Sequence, residues 1–323
     1  MCIRDSRNAE TSWLQNVPGA TRRHEWLLPL YPASWWLRRR VAGVDAVVSS
    51  SHACARAVRI APGIPHICYC HTPMRYAWDF EAEQDRFPAR LRGVARRLMA
   101  LARTWDRHTA QRVTRFVANS TAVAERIERF YERASTVVHP PVRTDFFTTD
   151  EQPTRAREGL LFVGRLVSYK RPDLAIAAAR ASGEHLTVVG DGHMLAELRR
   201  STGEDVTFRR EVGDEELRAL YRRSRALVYP GEEDFGIVMA EAQACGTPVV
   251  ALARGGSRDI VEHGETGWLV EDPSAEAFAA AIRVTRRKAF DSVEISVRTQ
   301  RFSSARFRAR MREIVEEVAS AGG

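Results

Sequence analysis

Lysine is nearly missing from this chain. Of 49 basic residues in 323, only Lys170 and Lys288 are lysine, and arginine supplies the rest. A lysine placed on a loop is therefore conspicuous. Long apolar runs are missing too. None approaches the roughly 20 residues that a bilayer-spanning helix needs, so no membrane span is expected. The start shows no charged segment followed by an apolar segment of the secretory kind. Cysteine is scarce and scattered (Cys2, Cys54, Cys68, Cys70, Cys245). An odd count without C-x-x-C spacing excludes a disulfide framework and a zinc site, and the expectation is a cytoplasmic chain. Sequence repeats and low-complexity tracts are absent.

What is present is uneven in charge. Residues 1–141 hold 22 Lys and Arg against 12 Asp and Glu; residues 142–323 hold 27 against 29. A basic front half suits nucleic acid, an anionic membrane or acidic ligands, or reflects arginine-rich composition alone. No nucleic-acid-binding motif supports the first, and no nucleic-acid partner is expected. The basic residues gather over 90–112, where periodicity predicts a helix with Leu91, Val94, Leu98, Leu101 and Trp105 on one stripe and Arg92, Arg96, Arg97, Arg103 and Arg107 around it. The expectation is a core helix with a solvated arginine face; the alternative is an amphipathic helix lying on anionic lipid.

Residues 1–10 show no periodicity and read as a non-native head. Short apolar runs at Val44–Ser49, His66–Cys70 and Phe116–Ala118 predict strands, and Asn119-Ser120 caps a helix through Tyr131. The two prolines of Val137-Val-His-Pro-Pro-Val142 forbid a helix and mark a domain boundary. A loose stretch follows over 148–158. From Leu160 onward, strands alternate with helices. Strands are predicted at Leu160–Val163, Leu186–Val189, Val206–Phe208, Ala226–Tyr229, Thr247–Ala251 and Gly267–Val270. Helices fall at 172–181, 193–201, 214–223, 237–245, 257–263 and 274–285. Such alternation means βαβ units and a parallel sheet. An amphipathic helix over 303–319 ends the pattern.

Ligands of open α/β sheets bind where strands end and helices begin. Three groups fall there. Gly164-Arg-Leu-Val-Ser-Tyr-Lys170 puts Arg165 and Lys170 on one loop, a forked cation and a point charge suited to a diphosphate. Gly190-Asp191-Gly192 follows the next strand, with small residues that let a ligand come close. Glu233 sits on the turn after Ala226–Tyr229. Gly236 opens the helix there, with free amides and a positive dipole end, and Glu241 lies one turn in. Neither acid has an obvious structural partner in the sequence.

Taken in order, Gly164-Arg-Leu…Lys170, Val189-Gly-Asp-Gly192, Glu233-Asp-Phe-Gly-Ile-Val-Met-Ala-Glu241, Gly246-Thr-Pro-Val, Gly255-Gly and His263-Gly-Glu-Thr-Gly267 resemble the nucleotide-sugar domain of family 4 retaining glycosyltransferases of GT-B fold. Cys68-Tyr-Cys-His-Thr-Pro-Met-Arg-Tyr-Ala-Trp-Asp79 and Phe116-Val-Ala-Asn-Ser120 resemble the bacterial mannosyltransferase branch of that family. The resemblance implies an α/β, GT-B architecture: two Rossmann-like domains with parallel sheets facing a cleft. It places an acceptor-side domain over 1–141 that lacks its initial βαβ portion, a nucleotide-sugar domain over 142–302, and a C-terminal helix over 303–323 packing back toward the first. It implies that Arg165 and Lys170 bind and neutralise the donor diphosphate and that Glu241 binds the ribose hydroxyls. Glu233 holds the transferred sugar, with backbone amides near Phe235, Gly236 and Ile237. Gly164, Gly190, Asp191 and Gly192 line the donor, and the Glu211–Glu215 segment, with Val212, borders the base. Arg209-Arg210-Glu211 stands where a small residue is more usual, which leaves the base open. His71 contacts the sugar near the reacting carbon; the plain alternative is a cap or core histidine.

The implied activity is retaining hexosyl transfer, with GDP-mannose as donor and a glycan or lipid-linked acceptor in cell-surface polysaccharide synthesis, on the inner face of the cell membrane. No cofactor is implied. No Asp-x-Asp pair occurs, so a metal clamp lacks its ligands. The rivals are a UDP- or ADP-sugar donor, a catalytically inactive nucleotide-sugar-binding fragment, and a GT-B epimerase or phosphorylase.

Overall fold

The computed structural model describes Ser34 and residues 40–78, 92–150 and 156–321. The 1–10 head, Asp79, Leu91 and the middle of the 148–158 stretch lie outside the described residues. The chain divides into two units. One takes Met1–Ala118, Ala124–Thr136 and Glu313–Gly323; the other takes Asn119–Val123 and Val137–Arg312.

The first unit is built on a sheet ordered β1-β2-β3-β4: Val47–Ser51, His66–Cys70, Arg115–Ala118 and Ser135–Val137. β1, β2 and β3 pair in parallel, with Ser49 opposite Cys68 and Cys68 opposite Phe116. β2 is buried at all five positions, as a central parallel strand must be. The Val44–Ser49 reading is corrected: β1 begins three residues later and alternates, with Val48 half exposed. Among the described residues it pairs on one side only, with β2.

Among the described residues, α1 (Arg75–Trp78) and α2 (Arg92–Ala110) follow β2, and α3 (Thr121–Tyr131) follows β3. Ser120 Oγ accepts the Val123 amide at 3.2 Å, the expected cap of α3. The stripe read for α2 holds at Trp105, which packs against the Ala53, Cys54, Met74 and Ala77 cluster, and is corrected at three of its other positions. Val94, Leu98 and Leu101 are 59%, 51% and 69% exposed, while Ala95, Asp106, Thr109 and Ala110 are buried. The reason is Asp106. It is fully buried and forms an ion pair with the equally buried Arg56. Its Oδ2 accepts from Trp78 Nε1 and from the Tyr131 hydroxyl, each at 2.7 Å. A buried charge held by that many donors dictates which helix face turns inward, and the larger apolar residues are left outside.

The second unit carries a six-stranded sheet ordered β10-β9-β8-β5-β6-β7, parallel throughout. Its strands are β5 (Leu160–Val163), β6 (Leu186–Val189), β7 (Val206–Arg209), β8 (Ala226–Tyr229), β9 (Val249–Leu252) and β10 (Gly267–Val270). The order reverses between β5 and β8, so the crevice outside their carboxyl ends is where such a sheet binds ligands. Central β5, β8 and β9 are buried at every position. Among the described residues its helices are α4 (Pro172–Ser182), α5 (Leu195–Ser201), α6 (Asp214–Arg223), α7 (Ile237–Ala244), α8 (Ser257–Ile260), α9 (Ala275–Arg287) and α10 (Ser292–Thr299), and α11 (Ser304–Ser320) begins in this unit and ends in the first. α4 has proline in its first turn and ends at Gly183 in the left-handed region, the start and stop its sequence announces. α8 is shorter than the predicted 257–263 because Val261 turns extended. β9 begins two residues later than predicted. α10, unpredicted, is capped by Asp291, whose Oδ1 accepts the Val293 and Glu294 amides at 2.8 and 3.1 Å. Among the described residues no helix is long and apolar enough to cross a membrane.

Candidate active site

Two loops at the switch point of the second unit carry the chemistry. The first leaves β5. The Gly164 amide donates to Val189 O at 3.0 Å and the Leu166 amide to Asp191 O at 2.8 Å. A Cβ on Gly190 would lie 2.0 Å from Gly164 O, and one on Gly192 2.3 Å from Leu166 O. Their missing side chains admit the backbone of the neighbouring loop. Asp191 caps its own turn, accepting the Gly192 amide at 2.8 Å, and pairs with Arg210.

The loop ends in a short 3₁₀ turn, Ser168–Lys170. A Cβ on Gly231, after β8, would lie 2.6 Å from Lys170 Cα. That contact is backbone against backbone, so it fixes where Lys170 starts. The Lys170 side chain then runs past Gly164 to Glu233, Nζ to Oε1 at 2.7 Å. Glu233 Oε1 also accepts from the Tyr229 hydroxyl at 2.6 Å. Arg165 is exposed on the same loop, and its guanidinium donates to the Tyr169 hydroxyl at 3.1 Å.

The second loop leaves β8 and is pinned by Gly255-Gly256. Glu233 O accepts the Gly256 amide at 2.9 Å, and Glu233 bridges Gly255. A Cβ on Gly256 would lie 2.3 Å from Phe235 O. Phe235 is buried edge-on to Phe302. Gly236, at φ +92°, starts α7, and Ile237 stands 43% exposed at its first turn, where amides have no intrahelical acceptor.

Glu241, inside α7, accepts from the Tyr221 hydroxyl at 3.2 Å through Oε2. Burial pushes its carboxyl up to about 7; the Tyr221 hydrogen bond and the nearby Arg143 guanidinium pull the other way. Arg143 in turn donates to Asp214 at 2.8 Å, at the start of α6. Val212, just before that helix, packs against the core.

The structure therefore brings Gly164, Lys170 and Glu233 together and puts Glu241 on the helix that the Glu233 loop enters. Both acids have partners, contrary to the sequence reading: Lys170 and Tyr229 for one, Tyr221 for the other. His71 belongs to the first unit, where Nε2 shares a 2.8 Å hydrogen bond with Ser50 Oγ and the ring stands edge-on to Tyr69. Among the described residues no three of His, Cys, Asp or Glu gather as metal ligands. Sequence reasoning missed Tyr229, Tyr221, Arg143, Gly231 and the pinning role of Gly255-Gly256. One signal was available: a tyrosine in a buried strand needs a partner for its hydroxyl.

Known proteins agree with this architecture. Residues 144–285 match the family model described as glycosyl transferases group 1, and residues 3–146 match that of glycosyltransferase family 4. A D-inositol 3-phosphate glycosyltransferase of Mycobacteroides abscessus is 32% identical over 243 residues, covering 68% of this chain and 53% of its own. One from Geodermatophilus obscurus is 38% identical over 200 residues, covering 52% and 44%. The chain spans about half the length of these curated relatives. Among solved structures, sucrose-phosphate synthase from Thermosynechococcus elongatus superposes with a TM-score of 0.66 at 22% identity, over 80% of this chain and 69% of its own. Anabaena Alr3699/HepE in complex with UDP-glucose gives 0.62 at 20%, over 79% and 72%.

Proposed function

Because the chain belongs to the family 4, group 1 glycosyltransferases of GT-B fold, we propose that it is a retaining hexosyltransferase using a nucleotide-sugar donor. The single observation that carries this is the Lys170–Glu233 pair at the β5/β8 switch point, with Glu241 on the helix beyond. Arg165 and Lys170 take the diphosphate, Glu233 the sugar hydroxyls, and Glu241 the ribose diol. In the reaction, the bond from the anomeric carbon to the phosphate oxygen breaks. The bond to the acceptor oxygen forms on the same face, and the acceptor proton passes to the departing phosphate oxygen. Preplaced cations stabilise the charge growing there. His71 keeps the role that the resemblance implies, residues 1–141 form the acceptor side, and 142–302 the donor side.

The donor we favour is GDP-mannose and the acceptor a cell-surface glycan or glycolipid, on the resemblance of the Cys68–Asp79 and Phe116–Ser120 sequences to the mannosyltransferase branch. A second reading has direct support in the names of the relatives, D-inositol 3-phosphate glycosyltransferases, and in the UDP-glucose bound to HepE: a UDP-sugar donor and an inositol-phosphate-like acceptor. Calorimetric titration with GDP-, UDP- and ADP-sugars, followed by product analysis with wild type and Glu241→Ala, separates them. GDP-mannose binding above the others supports the first reading, and transfer indifferent to Glu241→Ala overturns the site. Binding without turnover would make the chain a nucleotide-sugar-binding protein instead.

The Glu241 carboxyl makes donor binding pH-dependent. Its folded pKa, about 7, lies above the ordinary 4.5. The fold thus favours the protonated form, and this group's contribution to stability falls as pH rises from 4.5 toward 7. Ribose hydroxyls need the ionised form. Donor affinity should therefore rise about tenfold between pH 6 and 8 and then level off, and Glu241→Gln should flatten the profile. A flat wild-type profile would remove Glu241 from the site.

The exposed Val94, Leu98 and Leu101 stripe of α2, amid its arginines, supports peripheral contact with an anionic membrane on the cytoplasmic side. Wild type should co-sediment with phosphatidylglycerol-rich vesicles and not with phosphatidylcholine vesicles, and Leu98→Asp with Leu101→Asp should abolish the difference. Equal sedimentation with both vesicle types would contradict it.

A further inference from the structure

Each acid of the Glu233…Glu241 element receives a hydrogen bond from a fully buried tyrosine, and the two tyrosines come from different elements. Tyr229 ends β8, is 0% exposed, and stacks its ring on Phe162 at 5.7 Å with 4° between the planes. Its hydroxyl donates to Glu233 Oε1 at 2.6 Å. Tyr221 lies in α6, is 0% exposed, and packs edge-on to Phe147. Its hydroxyl donates to Glu241 Oε2 at 3.2 Å. Its backbone carbonyl is held as well, by Thr247 Oγ1 at 2.6 Å and by Arg157 at 3.1 Å. Both phenols are rigid, and burial beside a carboxylate pushes each well above the ordinary tyrosine range. Both therefore keep their protons and act as permanent donors.

The difference between the acids is Lys170. Glu233 Oε1 is shared by Tyr229 and Lys170, while Lys170 Nζ also lies within reach of the Gly164 loop. When Lys170 turns to a diphosphate, Glu233 loses its cation. Tyr229 then remains on Oε1, and Oε2, which neither Tyr229 nor Lys170 engages, is left for the ligand. Glu241 needs no such hand-over, because its hydroxyl partner is not shared with a group the ligand recruits.

We infer that Tyr229 and Tyr221 are positioning residues with divided tasks: Tyr229 aims Glu233 at the sugar while Lys170 moves to the diphosphate, and Tyr221 aims Glu241 at the ribose. The inference rests on the functional reading above. The division gives it a signature that general loss of stability would not produce.

The test is calorimetric titration of the full chain with GDP and with GDP-mannose, or with UDP and UDP-glucose if the wild type prefers them, together with kcat. Tyr229→Phe keeps the packed ring and removes one hydrogen bond to a charged group, worth about tenfold in affinity. It should weaken the nucleotide-sugar by about tenfold and lower kcat, while leaving the nucleoside diphosphate within about twofold. Tyr221→Phe should weaken both ligands alike, by about tenfold, with kcat at saturation nearly unchanged. Glu233→Gln should repeat the sugar-selective loss, and adding Tyr229→Phe to it should cost little more, because the two act as one unit. The inference is overturned if Tyr229→Phe weakens both ligands equally or neither, or if Tyr221→Phe spares the nucleoside diphosphate. A wild-type chain that binds no nucleotide-sugar would overturn the functional reading first, and this inference with it.

Discussion

Replacing Lys170 by alanine is expected to cut sugar transfer by about 100- to 1000-fold, the usual cost of removing one preplaced donor from a site of developing charge. The Lys170 backbone is held against Gly231, and its side chain runs past Gly164 to end 2.7 Å from Glu233. It is thus poised at the carboxyl ends of β5 and β8, turns from Glu233 to the diphosphate when the donor binds, and needs little further reorganisation when the phosphate bond breaks. Arg165, exposed on the same loop, supplies the second cation but lies against Tyr169, not Glu233. It cannot take over Lys170's position. Lys170→Arg should rescue poorly, because a planar fork does not fit where a point charge threads past a Cβ-less residue. The loss should fall on kcat more than on KM, since the charge appears in the transition state. Steady-state rates at fixed ionic strength decide it; a loss below about threefold would show that Lys170 stabilises the ground state or nothing.

The second large effect concerns folding. Asp106→Ala should destabilise the first unit by about 3–5 kcal/mol, the range for breaking a buried ion pair from one side. Three donors lose their acceptor together: the buried Arg56 guanidinium, Trp78 Nε1 and the Tyr131 hydroxyl. Arg56 would be left charged in a site with no water around it, since its side chain is fully buried. Thermal unfolding should show the first unit melting earlier while the second keeps its transition, so the two must be followed by separate probes. Replacing both partners by apolar residues, Arg56→Met with Asp106→Leu, should recover much of the loss, because the cost lies in the unpaired charge. Equal melting of Asp106→Ala and wild type would show that the pair contributes nothing to the fold.

Much of the second unit was legible because buried parallel strands are short apolar runs between turn residues. β5, β6, β8 and β10 fall where those runs fall. α10 escaped because its apolar Val293 and Val297 are 61% and 63% exposed, leaving Ile295 as its buried apolar anchor. Periodicity weighs every large apolar residue as inward. α2 misled for the same reason, since apart from Trp105 its inward stripe is small residues and one aspartate. At the site, the two cations and two acids were visible because charged residues at strand ends have few structural reasons to be there. Their partners were not. Tyr229 reads as the last apolar residue of a strand, and Tyr221 as part of a helix core. Only the folded geometry shows that their hydroxyls point back to acids 4 and 20 residues away. The glycines of 190–192 were read as openings for a ligand, whereas a missing Cβ also serves loop against loop, there and at Gly255-Gly256.

The central claim is that Arg165, Lys170, Glu233 and Glu241 act on one activated-sugar molecule. A crystal structure of the chain soaked with a nucleotide-sugar tests it most directly. The expected density shows Lys170 Nζ moved from Glu233 to the diphosphate, the sugar hydroxyls on Glu233 and the ribose on Glu241. Donor density away from the β5 and β8 loops, with the Lys170–Glu233 pair still closed, would contradict it.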